Sequence, residues 1–356
     1  MEEIQIGQKK IGADNGCYII AELSGNHLHD FELAKKTIKA AKDAGVDAIK
    51  LQTYTPDTIT LDVDNKYFRI SQGTIWDGRT LYNLYKEAHT PWDWQPKLKE
   101  YADSLEIDLF SSPFDYTAVD FLEKMQVPCY KIASFEITDI PLIEYVAKKG
   151  KPVIMSTGIA TEEDIKLAVD TCRKAGNDQI ILLKCTSAYP TPLEDLNLKT
   201  IPDLQERFGC HVGLSDHTLG PQVPIAAVAL GAKVIEKHII VDRSMGGPDA
   251  KFSLEPQEFK QLVDDVRKTE KAMGTVSYEL TEKMRKSREH SRSLFVAEDI
   301  KKGDVFTSKN IKSVRPGFGL HTKHYSSILS KRAQRDLVNG DPLRKEDIEG
   351  FDDGHK

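Results

Sequence analysis

The stretch PVIMSTGIATEEDIKLAVDTCRKAGNDQIILLKC, residues 152–185, combines two kinds of pattern. Residues 152–156 and 180–185 are short apolar runs, which are typical of buried strands. Residues 162–174 carry apolar side chains at helical spacing, and Thr161-Glu-Glu-Asp164 is a helix-start signal. The stretch therefore predicts a strand, a helix and a second strand, the repeating unit of a parallel sheet.

The same alternation continues over the first 240 residues and yields eight predicted strands. They are Cys17–Leu23, Ala48–Gln52, Asp108–Ser112, Cys129–Ser134, Pro152–Ser156, Ile180–Cys185, His211–Leu214 and Val234–Ile239. Eight buried strands that alternate with helical segments predict an α/β fold of the (β/α)8 TIM-barrel type. A doubly wound sheet is disfavoured because no G-x-G-x-x-G motif follows the first strand.

The chain is longer than the ~250 residues of a typical barrel. An amphipathic helix over 259–273 is predicted to close the barrel, and short strands and turns begin near Ser293. We therefore expect a barrel domain over 1–275, a linker helix over 276–291, a β-rich domain over 292–350 and a tail over 351–356. Residues 292–350 carry 12 Lys and Arg against 8 Asp and Glu, a charge of +4 in a chain of net charge -6. A basic domain on an acidic barrel suits electrostatic docking.

The composition excludes several classes of protein. The net charge of -6 argues against a general nucleic-acid binder, and no apolar run reaches the ~18 residues that span a membrane. The N-terminal residues MEEIQIGQKK lack the apolar core of a signal peptide. The five cysteines have neither disulfide nor zinc spacing, so we expect a cytoplasmic protein.

Polar residues recur at the ends of the predicted strands, where they occupy alternate positions that share one face of the strand. Glu22 ends the first strand, and Lys50 and Gln52 share one face of the second. The most specific pair is His217 and His238, because the strands that they follow should run ~5 Å apart. Two imidazoles can bind Mn²⁺, Mg²⁺, Co²⁺ or Zn²⁺ and leave coordination positions open for water and substrate. The alternative is that each histidine bonds only a neighbouring carboxylate.

A second predicted set of lysine and serine side chains suits phosphate and carboxylate groups. Its members lie on strands or at strand ends: Lys50, Lys131, Lys184, Ser112, Ser134, Ser156 and Ser187. Lysine on a buried strand is costly unless it is paired or binds an anion. Serine at a strand end can also cap the next helix, so the serines alone do not decide between the two functions.

Motifs along nearly the whole chain resemble those of the sialic acid synthase family. They are IIAELSGNH (19–27), IKLQTYTPD (49–57), YKIASFE (130–136), CTSAYPTP (185–192), GLSDHT (213–218), VIEKH (234–238) and DAKFSL (249–254). The stretch SVRPGFGLH (313–321) resembles the antifreeze-like, or SAF, domain of that family. So many motifs in the same order identify the chain as a member.

The resemblance implies a metal-dependent condensation of phosphoenolpyruvate with the open-chain aldehyde of an amino sugar. Water takes part, and a nine-carbon 2-keto acid and phosphate are released. The resemblance implies manganese as the metal, with magnesium or cobalt as alternatives. It also implies a domain-swapped homodimer.

The resemblance further assigns roles to individual residues. It implies that phosphoenolpyruvate is bound by Lys50, Lys131, Ser134, Ser156, Ser187 and also Ser112. Glu22 and Glu136 are the candidates for handling protons or charge near the reacting carbons. It implies that Gln52, Tyr189 and Asp249 lie at the sugar, and that Arg315 reaches the sugar from the partner subunit.

The stretch LYNLYKEAHTPWDW (81–94) resembles the sequences of one branch of the family. That branch uses a 2,4-diacetamido-2,4,6-trideoxy sugar of altrose configuration. Ser112, Lys184 and Ser187 replace the threonine, histidine and asparagine of sialate-forming members, which argues against N-acetylmannosamine. Formation of N-acetylneuraminate or legionaminate remains an alternative. The aromatic side chains of this stretch could equally pack the helix or face the substrate: Tyr82, Tyr85, Trp92 and Trp94.

Two alternatives belong to other classes of protein. A Schiff-base aldolase would use Lys184 or Lys131 as its nucleophile. A non-catalytic protein would bind glycan or ice through the C-terminal domain, and the barrel would be a scaffold.

Overall fold

The computed structural model of the protein describes residues 1–71, 73, 76–189 and 191–352. The chain divides into two compact units, the first over Met1–Gly274 and the second from Thr275 onward. Each unit has a hydrophobic core of its own. The predicted tail over 351–356 falls mostly outside the described residues, because 353–356 are not among them.

The first unit opens with an antiparallel hairpin of strands β1 (Ile4–Ile6) and β2 (Lys9–Ile11). The side chains of Ile4, Ile6 and Ile11 are buried and belong to the same core cluster as the barrel strands. The sequence pattern does not predict this hairpin, because only three apolar side chains in it are buried.

Eight parallel strands then close into a barrel in the order β10-β3-β4-β5-β6-β7-β8-β9. They are β3 (Tyr18–Glu22), β4 (Ala48–Thr53), β5 (Asp108–Pro113), β6 (Tyr130–Ile132), β7 (Val153–Ser156), β8 (Ile180–Cys185), β9 (His211–Asp216) and β10 (Val234–His238). Nearly every residue in these strands is buried, as expected for strands covered on both faces. The predicted TIM barrel is confirmed.

Ten helices accompany the described part of the barrel unit. They are α1 (Phe31–Ala44), α2 (Pro56–Ile59), α3 (Leu81–Ala88), α4 (Gln95–Ser104), α5 (Tyr116–Lys124), α6 (Ile140–Ala147), α7 (Glu162–Lys174), α8 (Thr200–Phe208), α9 (Gln222–Ala229) and α10 (Pro256–Met273). Capping side chains fix several starts: Asp30 accepts from two backbone N–H groups of α1, and Thr161 from one of α7. Between β4 and α4 the chain makes a long excursion that contains α2 and α3.

The second unit contains α11 (Glu282–Arg288), β11 (Ser293–Val296), β12 (Ile311–Val314) and α12 (Tyr325–Ile328). Strands β11 and β12 pair antiparallel, and the core around them includes Leu294, Phe306 and Leu343. Arg315 follows β12 directly. None of the helices in the described ranges combines the length and the apolar character that a membrane span requires.

Candidate active site

A cavity of about 540 Å³ opens at the carboxyl ends of the barrel strands. Parallel strands bring their last residues to one end of the barrel, so side chains distant in sequence meet there. The alternation predicted from the sequence is observed: Glu22, Lys50, Gln52, Glu236 and His238 all line the cavity. Among the predicted site residues of the barrel unit, all except Ser112 and Lys184 line the cavity.

A buried network of lysines and glutamates lies at the bottom of the cavity. Lys50 Nζ is 2.9 Å from Glu22 Oε2 and 3.3 Å from Glu236 Oε1. Lys131 Nζ is 3.5 Å from Glu236 Oε1. Burial raises the pKa of Glu22, whereas Lys131 and Lys50 lower the pKa of Glu236 even though burial opposes them. Because burial disfavours the charged form of Glu22, the two lysines are only partly compensated by the two carboxyl groups, and this arrangement suits an anion.

Serine hydroxyls surround this positive charge. The Oγ atoms of Ser156 and Ser187 are buried without a hydrogen-bond partner, and Ser134 Oγ accepts from the N–H of Gly158 at 3.2 Å. A Cβ at Gly158 would lie 2.3 Å from Ser187 Oγ and 2.7 Å from Ser134 Oγ. A side chain larger than that of glycine would therefore displace these hydroxyls. Buried polar atoms without partners indicate where a ligand's acceptor atoms would bind.

Two members of the predicted anion set are not among the lining residues. Ser112 is buried, and its Oγ accepts from Lys50 Nζ at 3.5 Å, so the hydroxyl supports the lysine, and its role in binding phosphoenolpyruvate stays a prediction. Lys184 alternates with Cys185, which lines the cavity, so its side chain points to the other face of the strand. Its Nζ donates to the carbonyl of Cys185 at 2.7 Å.

The two predicted metal ligands meet as expected. The rings of His217 and His238 lie 5.3 Å apart between centroids, at the ends of the paired strands β9 and β10. His238 Nδ1 is buried without a hydrogen-bond partner and lies 3.9 Å from Asp249 Oδ2. Burial, followed by the positive charge of His217, holds the pKa of His238 well below its ordinary value, so its imidazole is neutral and can ligate a metal.

These residues fit a divalent ion held by two imidazoles, with His217, whose pKa is raised, releasing its proton when the ion binds. Across the ranges that the structure describes, no group of three or more His, Cys, Asp or Glu side chains is arranged to hold an ion. A two-histidine site leaves several positions to water and substrate, which is the arrangement expected of a catalytic metal. The free Nδ1 of His238 is the observation that agrees with such a ligand.

Three carboxyl and amide groups extend the polar wall. Gln52 Nε2 donates to Glu22 Oε1 at 2.9 Å and to Ser24 Oγ at 3.0 Å. Burial raises the pKa of Glu136 to about 7, and its Oε2 atom has no hydrogen-bond partner. Burial also raises the pKa of Asp249. Glu136 can therefore exchange a proton near neutral pH, and Gln52 and Asp249 can accept from a sugar hydroxyl or amide.

The sequence-based prediction missed Cys185, which also lines the cavity. Although burial opposes it, a hydrogen bond with His217 lowers the pKa of this thiol to about 7. The same contact raises the pKa of His217, again against the effect of burial. The position of Cys185 at the end of a predicted strand was the available signal, but its apolar neighbours suggested a core residue.

The sequence-based prediction left Tyr85 open and missed the rest of the cavity wall that comes from the excursion between β4 and α4. Its lining residues are Tyr54, Ile59, Tyr67, Arg69, Ile70, Trp76, Leu81, Leu84, Tyr85 and Ala88. Tyr189 packs at 4.5 Å from His217 and at 5.5 Å from Trp76, measured between ring centroids. The cavity thus has a charged floor and a largely apolar wall.

Comparison with known proteins identifies relatives along the whole chain. The NeuB family matches residues 37–278, and the SAF domain matches residues 291–349. A pseudaminic acid synthase of Campylobacter jejuni is 49% identical and covers 97% of this chain and 100% of its own length. A pseudaminic acid synthase of Helicobacter pylori is 46% identical, over 93% of this chain and 97% of its own. The crystal structure of an N-acetylneuraminic acid (sialic acid) synthetase from Leptospira borgpetersenii has a TM-score of 0.72 and 35% identity, over 80% of this chain and 95% of its own.

Proposed function

The chain belongs to the NeuB family, and we propose that it acts as a pseudaminic acid synthase. The reaction condenses phosphoenolpyruvate with the open-chain aldehyde of 2,4-diacetamido-2,4,6-trideoxy-L-altrose. Water is consumed, and pseudaminic acid and phosphate are released. The identity of 46% and 49% to pseudaminic acid synthases over nearly the whole chain supports this substrate over that of the more distant sialic acid synthetase.

One observation carries the chemical part of the proposal: the anion-binding set and the imidazole pair line the same cavity. We assign the phosphate and carboxylate of phosphoenolpyruvate to Lys50, Lys131 and the serine hydroxyls at positions 134, 156 and 187. The charge excess of the lysine network and the two unpartnered serine Oγ atoms support this placement. Phosphoenolpyruvate so held would have its methylene carbon ready to join the aldehyde carbon.

His217 and His238 are proposed to hold a divalent ion, with manganese as our choice and magnesium or cobalt as alternatives. When bound, such an ion supplies a Lewis acid that polarises the aldehyde. His238 contributes a neutral nitrogen, and Asp249 lies beside it to position the imidazole or a sugar hydroxyl. Glu22 and Glu136 remain the two candidates for proton handling. Glu136 is favoured because its Oε2 atom has no partner, whereas Glu22 is paired with Lys50.

The remaining proposals concern the sugar, the assembly and the compartment. Gln52, Tyr189 and Asp249 are proposed to contact the sugar. Arg315 is proposed to complete the sugar site from the partner subunit of a homodimer, as the family resemblance implies. The cysteines are free and buried, which agrees with a reducing cytoplasm.

The test uses purified protein, phosphoenolpyruvate and Mn²⁺ with a panel of aldehyde sugars, read by phosphate release. We expect turnover with 2,4-diacetamido-2,4,6-trideoxy-L-altrose, loss of turnover with a chelator and recovery on addition of Mn²⁺. Preference for N-acetylmannosamine or the legionaminate precursor would assign another branch of the family. Inactivation by borohydride in the presence of substrate would instead indicate a Schiff base on Lys131, which lines the cavity and whose pKa burial lowers.

A further inference from the structure

One face of helix α3 lines the cavity. Leu81, Leu84, Tyr85 and Ala88 are all lining residues, at the i, i+3, i+4 and i+7 spacing of a single helix face. Leu84 is only 8% exposed, whereas Lys86, two residues further along the same helix, is exposed to solvent. The helix therefore presents an apolar stripe to the cavity and its polar residues to water.

The other aromatic side chains of residues 81–94 face elsewhere. Tyr82 Oη donates to Asp57 Oδ1 at 3.0 Å in an exposed contact. The Trp92 ring packs 4.7 Å from Phe121, and its Nε1–H donates to the carbonyl of Tyr54 at 3.0 Å. These contacts are helix and loop packing, so within this aromatic group Tyr85 is the side chain that the structure brings to the cavity.

The excursion that carries α3 is anchored across the cavity mouth. Trp76 Nε1 donates to the carbonyl of Pro248, which lies in the loop after β10, at 3.2 Å. Ala88 approaches the same region, where a Cβ at Gly25 would lie 3.4 Å from the Cβ of Ala88 and 3.3 Å from Cγ of Pro248. Two contacts of the excursion with the barrel loops therefore hold the apolar stripe in place, as a specificity wall requires.

The polar floor fixes the direction in which the sugar lies. Its aldehyde carbon has to meet phosphoenolpyruvate at Lys50, Lys131 and the imidazole pair, so the opposite end of the open chain points away from the floor. The α3 face of the wall presents Leu81, Leu84 and Ala88 on that side of the cavity, and these side chains offer no hydrogen-bonding atom. Arg69, the charged side chain of the same excursion that lines the cavity, is paired with Asp64 through two contacts of 2.6 Å.

We propose that Leu81, Leu84 and Ala88 on the α3 face receive the methyl end of the sugar and select a 6-deoxy substrate over one with a hydroxyl at C6. This inference rests on the proposed function and adds to it the residues that set the specificity. A hydroxyl placed against these three side chains would be desolvated without a hydrogen-bond partner among them. An apolar pocket discriminates against one added hydroxyl by about 10- to 100-fold, which is the preference expected here.

The experiment measures kcat/KM for the 6-deoxy sugar and for its 6-hydroxy counterpart, with the KM for phosphoenolpyruvate recorded in parallel. We expect the wild type to prefer the 6-deoxy sugar by about 10- to 100-fold. Leu84→Asn should reduce that preference at least about tenfold, mainly through loss on the 6-deoxy sugar, while the KM for phosphoenolpyruvate stays the same. Leu84→Met keeps an apolar side chain and should retain the preference, and Lys86→Ala on the solvent face is the matched control.

Leu81→Asn is the second variant, because Leu81 is less buried than Leu84 and its loss threatens the fold less. An unchanged preference in a folded Leu84→Asn or Leu81→Asn protein would overturn the assignment of this face and leave the proposed function standing. Equal use of both sugars by the wild type would overturn it in the same way. Failure of the wild type to use either sugar would refute the proposed function itself.

Discussion

Replacing Glu136 by glutamine should change how the stability of the barrel unit depends on pH. Burial raises the pKa of this carboxyl from 4.5 to about 7. Between these two values the unfolded chain releases the proton and the folded chain retains it. The contribution of this proton to the free energy of unfolding is therefore fully present below pH 4.5 and is lost as the pH rises to about 7. The Glu136→Gln variant has no proton to lose, so it should not show this decrease in stability.

The magnitude follows from the two pKa values. A tenfold difference in proton affinity is worth ~1.36 kcal/mol, so the loss between pH 5 and pH 8 amounts to about 2.5 kcal/mol. Water in the cavity reduces the effect, which makes this figure an upper bound. A change of 1 kcal/mol shifts the Tm of a unit of this size by about 2 °C. The Tm of Glu136→Gln relative to that of the wild type should therefore rise by up to roughly 5 °C between pH 5 and pH 8.

The assay is differential scanning calorimetry at both pH values without phosphoenolpyruvate or metal. The exposed Glu206 on α8 provides the control Glu206→Gln, which should behave as the wild type at both pH values. A Tm difference between Glu136→Gln and the wild type that is equal at pH 5 and pH 8 would refute the reasoning. Glu136 would then titrate as an ordinary surface carboxyl and would be a poor candidate for proton handling.

Three further variants test the site. His238→Ala should lose Mn²⁺-dependent turnover and Mn²⁺ binding, measured by calorimetry, with an unchanged far-UV circular dichroism spectrum; retained metal binding would contradict the ligand assignment. Gly158→Ala places a Cβ 2.3 Å from Ser187 Oγ. The variant should raise the KM for phosphoenolpyruvate at least about tenfold, because the displaced hydroxyl loses a charge-assisted hydrogen bond. An unchanged KM would place phosphoenolpyruvate elsewhere. Arg315→Ala should raise the KM for the sugar more than that for phosphoenolpyruvate, and equal effects on both would argue against a sugar contact.

The barrel was predictable because its strands are short, buried on both faces and separated by capped helices. The predicted strands agree with β3 to β10 to within two residues at each end. The alternation of side chains along a strand then placed Glu22, Lys50 and His238 correctly at one end of the barrel. Periodicity determines the direction of a side chain whenever the strand is regular and its neighbours are apolar.

A residue type at a strand end is not enough where the side chain lies on the outer face of the strand or where the wall comes from outside the barrel. Lys184 alternates with the cavity-lining Cys185, and its ammonium group donates to the carbonyl of Cys185 instead of reaching the cavity. The excursion with α3 lies between two predicted elements, and its register against the cavity depends on long-range contacts such as Trp76 to Pro248. The sequence left the orientation of Tyr85 open for the same reason.

A competition experiment tests the central claim most directly. The enzyme receives phosphoenolpyruvate, Mn²⁺ and equal concentrations of 2,4-diacetamido-2,4,6-trideoxy-L-altrose and N-acetylmannosamine, and mass spectrometry measures the two nine-carbon acids. We predict that pseudaminic acid exceeds N-acetylneuraminic acid by at least about tenfold, since the two aldehydes differ at more than one polar group. Predominance of N-acetylneuraminic acid, or the absence of both acids, would contradict the assignment of this cavity to a 6-deoxy diacetamido sugar.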